Sequence, residues 1–281
     1  MKGLKFKVSV IKNIRVSNSP KKDAITTAMQ FVKTDWIITT DADCVVYENW
    51  LLTLDNYIQN HEVSMIAGAV TYDCERPFLH HFQQLDLASL QGATIGSFGL
   101  EKGFMYNGAN LAYTKLLFEK LGGFDGNNRI ASGDDIFILQ KAIAKFPEKV
   151  HYLKSKNNIV LTKPMDDWKS LFHQRVRWAS KTSSYKSRFG LGLGLVVFFG
   201  NLCWVMGVGC LVLGLLSFQN IVLLFLLKFF VDAVLIYKAN CFLTKTHLHY
   251  LILGSLLYPF FSVSVALYSL FGKYEWKGRR F

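Results

Sequence analysis

Three short strings in the sequence combine residue types and spacings that could do chemistry. Asp41-Ala42-Asp43 follows the apolar run Trp36-Ile37-Ile38-Thr39-Thr40. Two carboxylates in a tight turn can present oxygens to one hard divalent cation. Mg2+ or Mn2+ held there would also bind the diphosphate of an activated donor and neutralise charge on its leaving group. The plainer reading is a solvated turn in which Asp43 caps a helix, and one such triplet is close to chance in a chain of this length. Asp134-Asp135 precedes the periodic run Ile136 to Phe146. One member of a carboxylate pair can act as general base on a hydroxyl, because its neighbour raises its pKa. The competing reading is a helix N-cap whose charge complements the dipole. Gln174-Arg175-Val176-Arg177-Trp178 is the most specific string. An arginine fixed on a helix can grip a diphosphate, and an adjacent indole offers a flat apolar face to a sugar ring. An interfacial anchor would use the same residue types.

These strings need elements to position them. Phe6 to Val16 alternates short apolar and basic stretches as a strand would, and Asn18-Ser19-Pro20 breaks it. A helix is expected from Lys21 to Lys33, with Ala24, Ile25, Ala28 and Met29 on one face. The β-favouring run that follows ends in Asp41-Ala42-Asp43, which places the acids at a strand's carboxyl end, where open α/β sheets bind ligands. Another strand is expected at Val63 to Tyr72, then polar, Gly-containing loops as far as Tyr106-Asn107-Gly108-Ala109-Asn110. Leu111 to Leu121 reads as a helix stopped by Gly122-Gly123, and Asp134 and Asp135 should lie in the first turn of the next one. From Asp166 to Arg188, the residues Trp168, Leu171, Phe172, Arg175, Trp178 and Ala179 recur at helical spacing beside a basic face. That pattern is an amphipathic helix at a water and lipid boundary.

The chain has 281 residues, and after Gly190 it is almost continuously apolar. Leu191 to Phe218, Ile221 to Tyr237 and Leu248 to Phe271 each approach the roughly 20 residues a helix needs to cross a bilayer. Lys plus Arg outnumber Asp plus Glu by 32 to 20, a formal net charge of +12. Many of these cations flank the apolar segments: Lys181, Lys186 and Arg188, then Lys238 and Lys245, then Lys273, Lys277, Arg279 and Arg280. Such placement points to the cytoplasmic side and anionic headgroups, and away from nucleic acid. The five cysteines form no C-x-x-C pair, which argues against a disulfide framework or a zinc site. Met1 to Val16 does not resemble a signal peptide, so the catalytic part is expected in the reducing cytoplasm. Lys228 and Asp232 lie four residues apart in the second apolar segment and could neutralise each other; a transporter is the reading they prompt. Three full crossings would leave the basic tail opposite the catalytic part, against the positive-inside tendency. Ile221 to Tyr237, the shortest segment and the one carrying charges, is therefore the expected re-entrant or interfacial piece.

D-A-D after an apolar strand, N-G-A-N, G-G-F-D, G-D-D-I-F-I, then Q-R-V-R-W before apolar helices form an ordered set. The set resembles the membrane-bound branch of glycosyltransferase family 2, which includes cellulose, chitin, hyaluronan and poly-N-acetylglucosamine synthases and the ceramide glucosyltransferases. The likeness covers most of Lys21 to Trp178, and Trp276-Lys277-Gly278-Arg279 is similar to a tail seen in relatives. It implies an α/β chain: a partial GT-A (Rossmann-like) domain over residues 1–163 lacking its first strands, an interfacial amphipathic helix over 164–190, a membrane domain of about three apolar segments over 191–272, and a basic tail over 273–281. It further implies that Asp41 and Asp43 hold Mg2+ or Mn2+ and the donor diphosphate, with Lys22 near the phosphates. Asp135 would be the catalytic base, beside Asp134 where glutamate is commoner. Arg177 would bind phosphate, with Gln174 and Trp178 at the acceptor. The implied activity is inverting transfer from a UDP- or GDP-linked sugar to a lipid or growing polysaccharide at the cytoplasmic face of the cell membrane. The strand and loop that bind the nucleotide base in the family have no counterpart here. The alternative is a catalytically dead, membrane-tethered module that binds a nucleotide sugar or a glycan.

Overall fold

The computed structural model describes residues 8–17, 19–75, 78–126, 134–180, 187–244, 248–272, 275–276 and 279–280, with 134–135, 275–276 and 279–280 as backbone only. A helix, α1 (Pro20–Met29), opens on a proline, whose fixed φ and missing N–H suit the first helical position. Residues 8–17 run beside it without entering a strand, which corrects the strand expected there. Their backbone donors turn instead to side chains of α1: Ile14 N–H to Thr27 Oγ1 at 3.2 Å, and Ser17 N–H to Asp23 Oδ2 at 3.1 Å.

The centre of the domain is a four-stranded sheet in the order β1 (Trp36–Thr39), β5 (Leu111–Thr114), β3 (Met65–Gly68), β6 (Val150–Leu153). Only the β3 and β6 pair is parallel. Alternation along β3 serves two faces: Met65 and Ala67 join the core beneath α1, α4 (Lys115–Lys120) and α5 (Asp134–Lys145), while Ile66 packs with Trp50 and Leu54 of α2 (Trp50–Asn60). A second sheet follows the order β2 (Val45–Val46), β7 (Val160–Thr162), β4 (Val70–Tyr72). The single strand expected over Val63 to Tyr72 is thus two, and Ala69 is where the chain passes between sheets. Leu111 to Leu121 is likewise two elements: Leu111–Thr114 pairs with β1 and β3, and the helix starts only after Thr114 caps it by accepting from Leu117 N–H.

The expected loops between Tyr72 and Tyr106 contain a 22-residue helix, α3 (Phe78–Gly99). One side of α3 lies on the second sheet, where Gln84 exchanges hydrogen bonds with Thr71. Beside it runs α6 (Trp168–Ala179), started by Asp167, whose carboxylate accepts from Ser170 N–H at 2.8 Å. Three long apolar helices follow: α7 (Arg188–Val212), α8 (Phe218–Leu243) and α9 (Leu251–Phe271). All three are long and apolar enough to cross a membrane. The element spanning Ile221 to Tyr237, expected to be the shortest, is the longest of them at 26 residues. A short hairpin, β8 (Glu275–Trp276) with β9 (Arg279–Arg280), closes the described chain.

Candidate functional site

β1 delivers the D-x-D turn. Thr39 Oγ1 donates to Gly108 O at 3.2 Å, which ties the end of β1 to the N-G-A-N loop. Cys44 N–H then reaches back to Asp41 O at 3.1 Å and closes the turn, and Val45 enters the second sheet. Asp41 and Asp43 therefore sit at the carboxyl end of β1, where the chain changes sheets. The Asp43 residue is exposed and Asp41 is half-exposed. Lys21 Nζ lies 3.0 Å from Asp41 Oδ1.

The neighbouring lysine points elsewhere. Lys22 is only 2% exposed, and its ammonium stands 5.2 Å from the centroid of the Phe137 ring. Phe137 belongs to the first turns of α5, which begins at Asp134 as the spacing predicts. Two consecutive lysines of α1 thus reach the D-x-D turn and the start of the helix bearing Asp134 and Asp135; the carboxylates of those two residues lie outside the described atoms. Lys22 also lines a cavity of about 410 Å³ with Ser17, Asp23, Phe118, Gly123 and Phe124. Burial works against the charge on Asp23, but hydrogen bonds from Ser17, Arg15 and Val16 outweigh it and hold that carboxyl below its ordinary value.

On α6, Leu171 and Val176 are fully buried and fix the helix in place. Between them Arg175 donates Nε–H to Asp86 Oδ2 on α3 at 2.6 Å and Nη2–H to Tyr72 Oη at 3.5 Å. Its Nη1 donates to Gln174 Oε1, and its guanidinium lies 4.2 Å from the centroid of Trp178. The other oxygen of Asp86 accepts from Tyr258 Oη of α9 at 2.9 Å. Burial opposes the charge on Arg175, but Asp86 and Tyr72 hold its pKa above the ordinary value. Gln174 and Trp178, expected at the acceptor, both brace Arg175. Arg177 is half-buried on the same helix.

The second sheet relates this helix to the D-x-D turn. Tyr72 pairs with Thr162 on one side of β7, and Val45, the residue after Cys44, pairs with Leu161 on the other; burial raises the pKa of the Cys44 thiol. Two strand spacings, about 10 Å, separate Tyr72 beneath Arg175 from the residue next to Asp43.

Residues 36–271 match the sequence pattern of Glycosyl transferase family group 2. The chain belongs to that family. No curated protein matches it. The match opens on β1 and ends with α9, so it takes in the α/β domain and the apolar helices together. The architecture is that of a GT-A domain followed by membrane helices. A group 2 glycosyltransferase moves sugar from a nucleotide-linked donor to an acceptor, and this assigns the broad class of substrates.

Among the described residues, no group of three or more His, Cys, Asp or Glu side chains forms a protein-only metal cage. Two solvent-facing carboxylates do suit Mg2+ or Mn2+ completing its shell with phosphate oxygens and water. The donor set therefore fits a metal that shares its ligands with a nucleotide. Sequence reasoning missed Lys21, Tyr72, Asp86 and Tyr258 and undervalued Arg175. One of these left a readable signal: Asp86 is the single Asp, Glu, Lys or Arg in Phe78 to Gly99, and a lone carboxylate in such a stretch needs a cation.

Proposed function

We propose that the chain inverts an anomeric carbon in one in-line displacement, moving a sugar from a UDP- or GDP-linked donor to a lipid or glycan hydroxyl. Asp41 and Asp43 hold Mg2+ or Mn2+ together with the donor diphosphate, and the metal supplies charge neutralisation for the leaving group. Lys21 and Arg177 add positive charge around the phosphates, while Lys22 stays buried against Phe137 and contributes only to the field of the domain. Asp135 takes the proton of the acceptor hydroxyl as that oxygen attacks the anomeric carbon. The bond from that carbon to the diphosphate oxygen breaks on the opposite face, and the nucleotide diphosphate leaves with the electron pair. Asp134 keeps the basicity of Asp135 high by like-charge proximity. Gln174 and Trp178 border the acceptor, the indole offering the face turned away from Arg175.

One observation carries this reading. Lys21 meets Asp41 at 3.0 Å while Lys22 rests against Phe137, so α1 links the metal-binding turn to the start of the helix that bears the base. The apolar helices beside α6 favour an acceptor that arrives from the membrane, and the basic flanks favour a cytoplasmic catalytic face at the cell membrane.

Asp135→Asn in the intact protein is the direct test, with transfer measured from radiolabelled UDP- and GDP-sugars in the presence of Mn2+. Loss of a general base lowers turnover by roughly 10²- to 10⁴-fold. Near-normal turnover would remove Asp135 from that role. Donor binding without any turnover in the unmodified protein would instead identify a binding module.

A further inference from the structure

Gly122-Gly123-Phe124-Asp125 follows α4, and its backbone is wound around one side chain of the next helix. Gly122 and Gly123 take φ of +65° and +50°, which a side chain would disfavour, and Gly122 O accepts from Asp125 N–H at 3.0 Å. The carbonyls of Leu121, Gly123 and Asp125 converge instead on Lys141 of α5, whose Nζ donates to them at 3.3, 2.8 and 2.8 Å. An ammonium has three N–H donors, and carbonyls at the end of a helix have no partner within it. Lys145, one turn on, donates to Lys120 O at 3.5 Å.

This grip joins α5 to a continuous path from the D-x-D turn. β1, which leads into that turn, pairs with β5 along its whole length; Thr114 closes β5 and caps α4; α4 leads directly to the three carbonyls. Lys141 lies six residues after Asp135 on one helix, about 9 Å along its axis. Toward the core α5 presents Ile138, Leu139 and Ala142, which pack in one cluster with Phe118, Leu121 and Phe124. Apolar packing is non-directional, whereas hydrogen bonds weaken steeply as they bend. The position of α5 along its own axis is therefore set most sharply at Lys141.

We propose, on the reading of Asp135 as the base, that Lys141 is a positioning residue for sugar transfer. Held by the carbonyls of Leu121, Gly123 and Asp125, it sets the distance between Asp135 and the D-x-D turn. It acts through the helix and needs no contact with donor or acceptor. A misplacement of about 1 Å, caused far from the reacting atoms, costs roughly 10²-fold in rate. The donor diphosphate and Mn2+ are held from the D-x-D turn, so their binding does not depend on Lys141.

In the intact protein, Lys141→Met should lower kcat by up to about 10²-fold and leave the donor KM and Mn2+ binding at the D-x-D turn unchanged. In an Asp135→Asn background the same substitution should cost little more, because the group it positions is gone. Lys141→Ala leaves a gap that n-propylammonium matches, replacing the Cγ, Cδ, Cε and Nζ removed. Lys141 is half-buried, so an amine in solution reaches that gap. Propylammonium should restore turnover of Lys141→Ala saturably, and tetramethylammonium, which has no N–H, should not. Both measurements use one preparation, so folding is common to them. Unchanged kcat in Lys141→Met, an equal loss in the Asp135→Asn background, or no rescue by propylammonium would overturn the role of Lys141. Near-normal turnover in Asp135→Asn alone is a different result, and it removes the base as well.

Discussion

Asp86 of α3 accepts a 2.6 Å hydrogen bond from Arg175 of α6, and neither side chain is more than 6% exposed. The same carboxylate accepts from Tyr258, so one buried anion joins three helices from three parts of the chain. Arg175 in turn holds Gln174 and Trp178, and the shape of the Q-R-V-R-W surface depends on this pair.

Removing one partner should therefore be harmful in two separable ways. Asp86→Ala leaves an uncompensated buried guanidinium and should destabilise the protein by about 3–5 kcal/mol, read as a lower midpoint in detergent thermal unfolding. The double variant Asp86→Leu with Arg175→Met removes both charges and should regain most of that stability. Its transfer activity should stay low, because Gln174 and Trp178 have lost the group that orients them. Full recovery of activity along with stability would show that the pair only holds the helices together.

Gly68 has no room for a side chain. A Cβ there would stand 2.4 Å from Asn110 Nδ2 and 2.5 Å from Asn158 Nδ2. Asn110 donates to Ala69 O and Asn158 O and accepts from Trp50 Nε1, so it fastens both sheets and α2 at one point. Gly68→Ala should cost at least about 1–3 kcal/mol as overpacking, measured by thermal unfolding, and Asn110→Ala should be damaging by the same assay.

Acid should weaken the α1 region through Asp23. Its carboxyl is held below the ordinary value in the folded protein, so its stabilisation is complete above the unfolded pKa of roughly 3.9 and is lost as pH falls through the lower folded value. Asp23→Asn should be less stable than the parent at neutral pH, and the gap should narrow as pH drops below about 4. Unfolding midpoints recorded across that range check the sign.

Lys21→Met tests how the D-x-D turn handles free cations. With the ammonium removed from 3.0 Å, Asp41 should bind Mn2+ more tightly without nucleotide, and donor-dependent turnover should fall. Both follow from paramagnetic titration and from the Mn2+ dependence of transfer.

Much of this arrangement was legible beforehand, for reasons that particular residues make plain. Trp36 to Thr39 followed by Asp41 and Asp43 announced a strand and its ligand-binding edge, since a β-favouring run ended abruptly in acids. α3 was not legible. Its buried positions include Gln83, Gln84, Asp86, Gln91, Thr94 and Ser97, so no apolar stripe at helical period marks it. Tertiary hydrogen bonds satisfy those polar groups, and a single sequence does not display such partners. Leu111 to Thr114 was absorbed into the next helix because four residues are too few to establish a period of two. Lys21 and Lys22 could not be told apart, because which lysine meets Asp41 depends on the rotation of α1 against the sheet.

The composition of the chain changes at Gly190, but its interior does not. Ala69 from the junction of the sheets, Leu85 and Ala88 from α3, and Ile236 and Leu243 from α8 fill one hydrophobic cluster. Cutting the chain before α7 would open that cluster to water and strip the cover from α3. A detached enzyme head is thus not a natural unit of this molecule: solubilising it means supplying a substitute for α8, and lipid that disturbs α8 presses directly on the sheet.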